Sequence, residues 1–476
     1  MVFSSLIFVC LFLPAAIAAY FIVPARLRNR VLVVASLIYY AWGVPLAVVL
    51  VVSLIAINFR LGQLIDDHAG RRRKQLVAAA VALNLGVLIF FKYSDFILQN
   101  VNVLLSPVTT RRAPLLHIAL PLGISFFTFH IISYLVDVYR GTVSAQRSPS
   151  AFTLYIINFP QLIAGPIIRY HLIEDQLEKR IVKFDDVDAG IGRFAIGLAK
   201  KLLIANPIGA IADQIFSVTP NNLSSATAWL GMICYGLQIY FDFSGYTDMA
   251  IGIARVFGFH FPENFNYPYA AQSIQDFWRR WHMTLSFWFR DYVYIPLGGN
   301  RRGAWMTARN LWIVFLLTGT WHGASWNFVV WGMWHGLFLF IERLRPVAAA
   351  LARSPQVLRH LYTLFVVFIG WVFFRSPDLS SAIGYLTRVF GFGGWREGLP
   401  MTVIVSTPMA FLIVLAALLS LPVWPQVRAA GGRLSVSNSG AIVVDLARAA
   451  LVAGIMFLSL STMAVEQYNP FIYFQF

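Results

Sequence analysis

The sequence has 476 residues, 58% of them hydrophobic and only 12% charged, with a formal net charge of +16. A soluble chain of this length carries about a quarter charged residues, so a water-facing globule is excluded. Nor does the positive charge point to nucleic acid, because it sits in short clusters between apolar runs, as the positive-inside rule orders it.

In chain order, apolar runs cover 5–23, 31–59 and 76–92, and later 358–374, 401–421 and 441–463. Runs of roughly 17–25 apolar residues match helices that cross a hydrocarbon core. The fold class expected is therefore an all-α polytopic membrane protein. The start has no positive n-region and further spans follow it, so it does not read as a cleaved signal peptide. The tail "FIYFQF" alternates like an outer-membrane strand, but barrels lack long unbroken apolar runs. "ARLRNR" (25–30) and "RRRK" (71–74) mark one face as cytoplasmic and place the N-terminus outside. Arg343, Arg345, Arg353 and Arg359 form a later basic cluster, and Arg428, Arg433 and Arg448 a looser one. Cys10 and Cys234 both lie in apolar stretches and read as small buried hydrophobes, and no spacing suggests a metal.

The ends, 1–120 and 346–476, read as scaffold. The middle, 121–345, is interrupted by Asp, Glu, Arg, His, Asn and Pro, and reads as the catalytic core of a single domain. Ionisable residues at membrane depth are costly and face a protein interior or a wet cavity. Within the middle, "AQSIQDFWRRWHMTLSFWFRD" (271–291) places Ile274, Phe277, Trp278, Trp281, Leu285, Trp288 and Phe289 on one helical arc. Asp276, Arg279, Arg280, Ser286 and Arg290 fall opposite, which predicts one interfacial amphipathic helix. His282 lies at the edge of its apolar stripe, as a snorkelling histidine would.

Residues 308–344 would make one helix of about 55 Å, too long for a core of about 30 Å. A break is predicted at "TGTWHG", where Gly319 and Gly323 bracket His322 roughly half-way down the membrane. His335 lies on another face and reads as a structural hydrogen-bonder among Trp331, Trp334 and Gly336. Metal binding would need more ligands at regular spacing, and a nucleophile elbow is absent. That leaves an imidazole acting directly on a hydroxyl, with His322 as the base and His282 orienting or polarising.

"DFWRRWHMTLSFWFRDYVYIPLGGNRRG" (276–303) and "LLTGTWHGASWNFVVWGMWHG" (316–336) resemble the membrane-bound O-acyltransferase superfamily, in its bacterial polysaccharide-acetylating branch. "YFDFSGYTDMAIGIARVFGFHFPENFNYPY" (240–269), "FPQLIAGPIIRY" (159–170), the opening "MVFSSLIFVCLFLP" and the tail "NPFIYFQF" extend the likeness nearly end to end. The resemblance implies a ring of about 10–12 transmembrane helices with re-entrant or interfacial helices and a central tunnel, in a bacterial inner membrane. It implies His322 as the catalytic residue and His282 as the second site residue. It also implies an acyl thioester donor such as acetyl coenzyme A, no bound cofactor, a polysaccharide acceptor and periplasmic acetyltransferase or relay partners. Arg279 and Arg280 would attract the donor's phosphates or serve as interfacial charges. Trp281, Trp321 and Trp326 would wall the tunnel or pack. Asp242, Ser244, Asp248, Glu263 and Asn264 are weaker candidates, their acids serving to tie helices together. D-alanyl transfer to teichoic acid is the enzymatic alternative. A transporter is the non-enzymatic one, although paired halves with matching broken helices are not evident.

Overall fold

The computed structural model describes residues 2–392, 394–395, 398, 400–423, 438–466 and 468–470. The last six residues of the tail, and Arg428 and Arg433, lie outside them. Among the described residues the regular structure is helical, with no β-strand, as expected for an all-α membrane protein.

Helix α1 (Ile7–Ile22) opens the chain. The apolar run 31–59 is not one span. It divides into α2 (Arg28–Ala41) and α3 (Ala47–Asp67), because "WGVPL" carries a proline that cannot donate to a helix ladder and a glycine with no packing surface. Helix α4 (Gly70–Leu105) has 36 residues and so runs about 54 Å, well beyond a bilayer core. Segment 113–117 folds back on its far end, where Asp95 accepts the N–H groups of Leu116 at 2.7 Å and His117 at 3.0 Å. Cys10, expected to be buried, is exposed. On a membrane helix an apolar neighbourhood can mean lipid as well as protein, so burial does not follow from it.

The middle is the buried part. In α5 (Ile124–Arg140) most side chains are buried, and α6 is Pro149–Ile157. Helices α7 (Phe184–Phe216, with a π-helical stretch at Lys200–Ala205) and α8 (Ser225–Val256) pack together. Their acids are paired: Asp242 with Lys201 at 2.8 Å, and Asp248 with Lys200 at 2.7 Å and Arg193 at 2.8 Å. Arg193 also pairs with Glu263 at 2.5 Å.

The single helix expected over 271–291 is broken into α9 (Ile274–Trp278) and α10 (Met283–Phe289). At the break His282 takes a left-handed backbone, φ 43° and ψ 54°. The competing interaction is a backbone clamp with segment 264–266, where Met283 N–H donates to Asn264 O and Asn266 N–H to Arg280 O, both at 2.9 Å. Glu342 caps the start of α9 by accepting the N–H groups of Ile274 (2.6 Å) and Gln275 (3.1 Å). Burial pushes its carboxyl above the usual range, and those two donors oppose the shift.

The break predicted near Gly323 is present. Helix α11 (Gly303–His322) ends on the histidine and α12 (Trp326–Ile341) turns back against it. The two cross at Gly319 and Gly332, where a Cβ on Gly319 would lie 2.4 Å from the Phe328 carbonyl oxygen. Backbone cannot retreat as a side chain does, so Gly319→Ala is expected to cost about 1–3 kcal/mol of stability. A lowered thermal-unfolding temperature in detergent would show it. Helices α13 (Gln356–Arg375), α14 (Leu379–Val389), α15 (Thr407–Leu419) and α16 (Asn438–Val465) complete the fold. Among the described residues, five helices can each cross a membrane by length and composition: α3, α4, α7, α13 and, over Ile442–Val465, α16.

Candidate active site

His322 is buried as the last residue of α11. Aromatic rings meet its ring from several directions: Trp321 at 4.9 Å, Trp331 at 5.0 Å and Phe374 at 5.1 Å between centroids. Trp331 and Phe374 come from α12 and α13, so the pocket forms only when three helices pack.

His282 is 1% exposed. The exposed, snorkelling histidine suggested by its segment is therefore not what the structure holds, because the break after α9 turns the side chain inward. Its ring stands edge-on to Phe243 at 4.7 Å and lies 6.4 Å from the Trp321 ring. Both imidazoles thus gather around one indole and lie within electrostatic reach of each other.

Asn264 sets the orientation of His282. Its Oδ1 accepts from the Thr284 backbone N–H at 3.2 Å and the Thr284 hydroxyl at 2.9 Å, and faces His282 Nδ1 at 3.0 Å. A backbone N–H only donates, so the amide atom there is the oxygen and the imidazole must donate from Nδ1. In the neutral ring this leaves the lone pair on Nε2. The Thr284 hydroxyl is itself fixed by the Ile167 N–H at 3.0 Å. Asn264, named from sequence only as a weak tunnel candidate, is the orienter of the second histidine.

The other candidates divide. Trp321 stacks on Phe129 at 5.2 Å and bridges the two histidines. Trp281 is buried against Trp371 at 4.8 Å and Phe265 at 5.0 Å. Trp326 turns outward, 55% exposed, and donates to Asn100 at 2.9 Å. Asp242 faces Lys201 within the α7–α8 contact, and Ser244 is buried on α8. His335 requires a correction. Among the described residues neither of its ring nitrogens has a hydrogen-bond partner. It is held instead by ring contacts with Trp278 at 5.0 Å and Trp331 at 5.2 Å.

The two neighbouring arginines also part. Arg280 is tied to Asp276 at 2.8 Å and to the Asn266 carbonyl. Arg279 lines a cavity of about 220 Å³ together with Arg290 and Arg343. Its wall is apolar, with Leu285 and Phe315, and it includes Thr318, one turn before His322. Arg290 and Arg343 were not joined with Arg279 as a lining: Arg290 shares its segment but read as part of an interfacial polar face, and Arg343 comes from a different element. Lys92 and Tyr93 were missed as well. Lys92 Nζ donates to the Trp321 and His322 carbonyls at 2.5 and 3.1 Å, and Tyr93 OH donates to the Thr320 carbonyl at 2.6 Å. The available signal was a lone cation closing the apolar run 76–92.

Among the described residues no cluster of three or more metal-ligating side chains is present. The arrangement can hold two oriented imidazoles in an aromatic, water-poor setting, beside a cavity with a cationic lining.

The sequence profile of MBOAT, the membrane-bound O-acyltransferase family, matches residues 74–377, a span that contains both histidines. A probable alginate O-acetylase of Pseudomonas putida is 38% identical over the whole of both chains. A second, from Azotobacter vinelandii, is 37% identical over the same full span. A peptidoglycan O-acetyltransferase of Helicobacter pylori is 37% identical over 83% of this chain and 80% of its own. With the profile covering most of the chain and full-length relatives above 30% identity, this protein belongs to the membrane-bound O-acyltransferase family.

Proposed function

We propose that the chain takes an acetyl group from acetyl coenzyme A and delivers it for O-acetylation of an alginate-like exopolysaccharide, with His322 as general base. The observation that carries this reading is the gathering of two buried imidazoles around Trp321 at the end of a broken helix. It occurs in a chain similar from end to end to a probable alginate O-acetylase.

In the proposed reaction the His322 imidazole takes the proton of an acceptor hydroxyl as its oxygen attacks the thioester carbonyl carbon. The tetrahedral intermediate collapses, the C–S bond breaks, and the departing sulfur takes the proton from the imidazolium. The products are an O-acetyl ester and a free thiol. His282, with Nδ1–H committed to Asn264, is suited to orient or polarise the groups around His322, which alone takes the hydroxyl proton. The acceptor is the polysaccharide itself or a hydroxyl of a periplasmic relay protein, and the proton chemistry is the same for both.

The basic loops support an orientation. Residues 171–180 reach both of them: His171 pairs with Asp137, near Val138 whose carbonyl accepts from Arg73, and Arg180 donates to Asn29. Both loops therefore belong to one face, which the positive-inside rule makes cytoplasmic, with the N-terminus periplasmic in an inner membrane. Arg290 joins that face through its neighbour Asp291, whose carboxylate pairs with Arg169 and whose carbonyl accepts from Arg140. The cationic cavity is then the donor's entry, with its phosphates on Arg279, Arg290 and Arg343. Charge-assisted hydrogen bonds contribute about 1.5–3 kcal/mol. Arg279→Ala combined with Arg343→Ala is expected to raise the donor KM roughly tenfold or more, with kcat within about twofold. Initial rates across donor concentration check this, and an unchanged KM contradicts the entry route.

The reading as a whole is tested with membrane vesicles, acetyl-labelled coenzyme A thioester and deacetylated alginate. Base-labile labelled ester on the polymer is expected. Label that reaches neither the polymer nor a membrane or periplasmic protein, or a preparation that accepts only activated D-alanine, contradicts it.

A further inference from the structure

The last carbonyls of an α-helix have no partner within the helix, and inside a membrane no bulk water replaces one. Helix α11 meets this problem at its most sensitive point, because it stops at His322 and Gly323 leaves in an extended conformation. The partners come from α4. Lys92 Nζ takes the Trp321 carbonyl at 2.5 Å and the His322 carbonyl at 3.1 Å, and Tyr93 OH takes the Thr320 carbonyl at 2.6 Å. The same amine lies 3.5 Å from Ser125 Oγ on α5 and 5.8 Å from the centroid of the Trp321 ring.

Burying a lysine amine is a costly way to fill carbonyl valences. Here the placement serves further, since donors gathered at a helix C-terminus oppose the negative end of the helix dipole. The indole it sits over is the one around which both histidines gather. We infer that Lys92, assisted by Tyr93, is a positioning residue for the reaction: it clamps the last turn of α11 so that the His322 ring is held at the reacting centre. The inference rests on the assignment of His322 as base. It adds that catalysis depends on a residue of α4 more than two hundred positions away in sequence. Displacements of about 1 Å at a reacting group can cost a hundredfold in rate, so the effect belongs in kcat and not in donor affinity.

The test uses the full-length protein purified in detergent, with acetyl coenzyme A as donor and two readouts. Lys92→Met is expected to lower kcat roughly tenfold to a hundredfold and leave the donor KM within about twofold. In the same sample, amide hydrogen exchange across 319–323 is expected to quicken. Tyr93→Phe, which removes one hydroxyl, should move both readouts the same way by less, and it carries the test if Lys92→Met does not accumulate. Unchanged exchange across 319–323 overturns the proposal whatever happens to turnover, and so does a loss confined to KM. Unchanged kcat overturns it too. His322→Gln run alongside separates the two assignments: normal turnover there removes the base, whereas the exchange readout still reports on the clamp.

Discussion

Replacing His322 by Gln is expected to lower acetyl turnover at least about a hundredfold, with the donor KM within about twofold. Glutamine keeps much of the size and hydrogen-bonding capacity of the imidazole but cannot take a proton from a hydroxyl. The ring's edge-on neighbours, Trp321, Trp331 and Phe374, contact its carbon framework as well as its nitrogens, so part of the packing survives. If His322 only filled space between α11, α12 and α13, the variant would lose stability and keep its turnover. A folded variant with normal turnover would therefore end its assignment as base.

The largest expected effect on stability lies elsewhere, at the pair of Asp242 and Lys201. The two groups are 2.8 Å apart and each side chain is 3% exposed. Lys201 also donates to the Pro470 carbonyl, so the pair ties α7 and α8 to the C-terminal segment. Removing one member of such a pair strands the other charge, at about 3–5 kcal/mol. Asp242→Ala is expected to lower the free energy of chemical unfolding in detergent by that amount. Replacing both, as Asp242→Leu with Lys201→Met, should recover most of the loss, because no charge is then left unmatched. A single variant as stable as the parent, or a double variant no better than the single, contradicts a structural role for Asp242.

Much of the scaffold was legible because apolar runs in a membrane report helices directly. The break after His322 was legible too, since a 37-residue run cannot cross a core of about 30 Å as one helix. Local periodicity failed at 271–291. The arc from Ile274 to Phe289 is a sound amphipathic pattern, and the clamp to 264–266 that breaks it is a tertiary contact with no periodic trace. The same break buries His282, so the snorkelling placement that its segment alone suggested followed from the misread helix. The split at 42–46 was written in Gly43 and Pro45 but masked by the continuity of the apolar run. His335 was misjudged because a buried imidazole was assumed to need hydrogen bonds, whereas aromatic rings enclose it. The assembled parts of the site, Lys92 under α11 and Arg343 beside Arg279, come from elements far apart in sequence. No single window of sequence contains them.

The central claim is that the buried imidazole of His322 performs acetyl transfer to a secreted polysaccharide. Its most direct measurement is the O-acetyl content of the exopolysaccharide made by an alginate-producing bacterium that lacks its own acetylase. That host supplies donor, acceptor and any relay partner, and expresses either the parent chain or His322→Gln at matched membrane levels. The parent is predicted to restore acetyl ester on the polymer, and the variant to leave it at the level of the empty host. Equal ester content with parent and variant would contradict the claim.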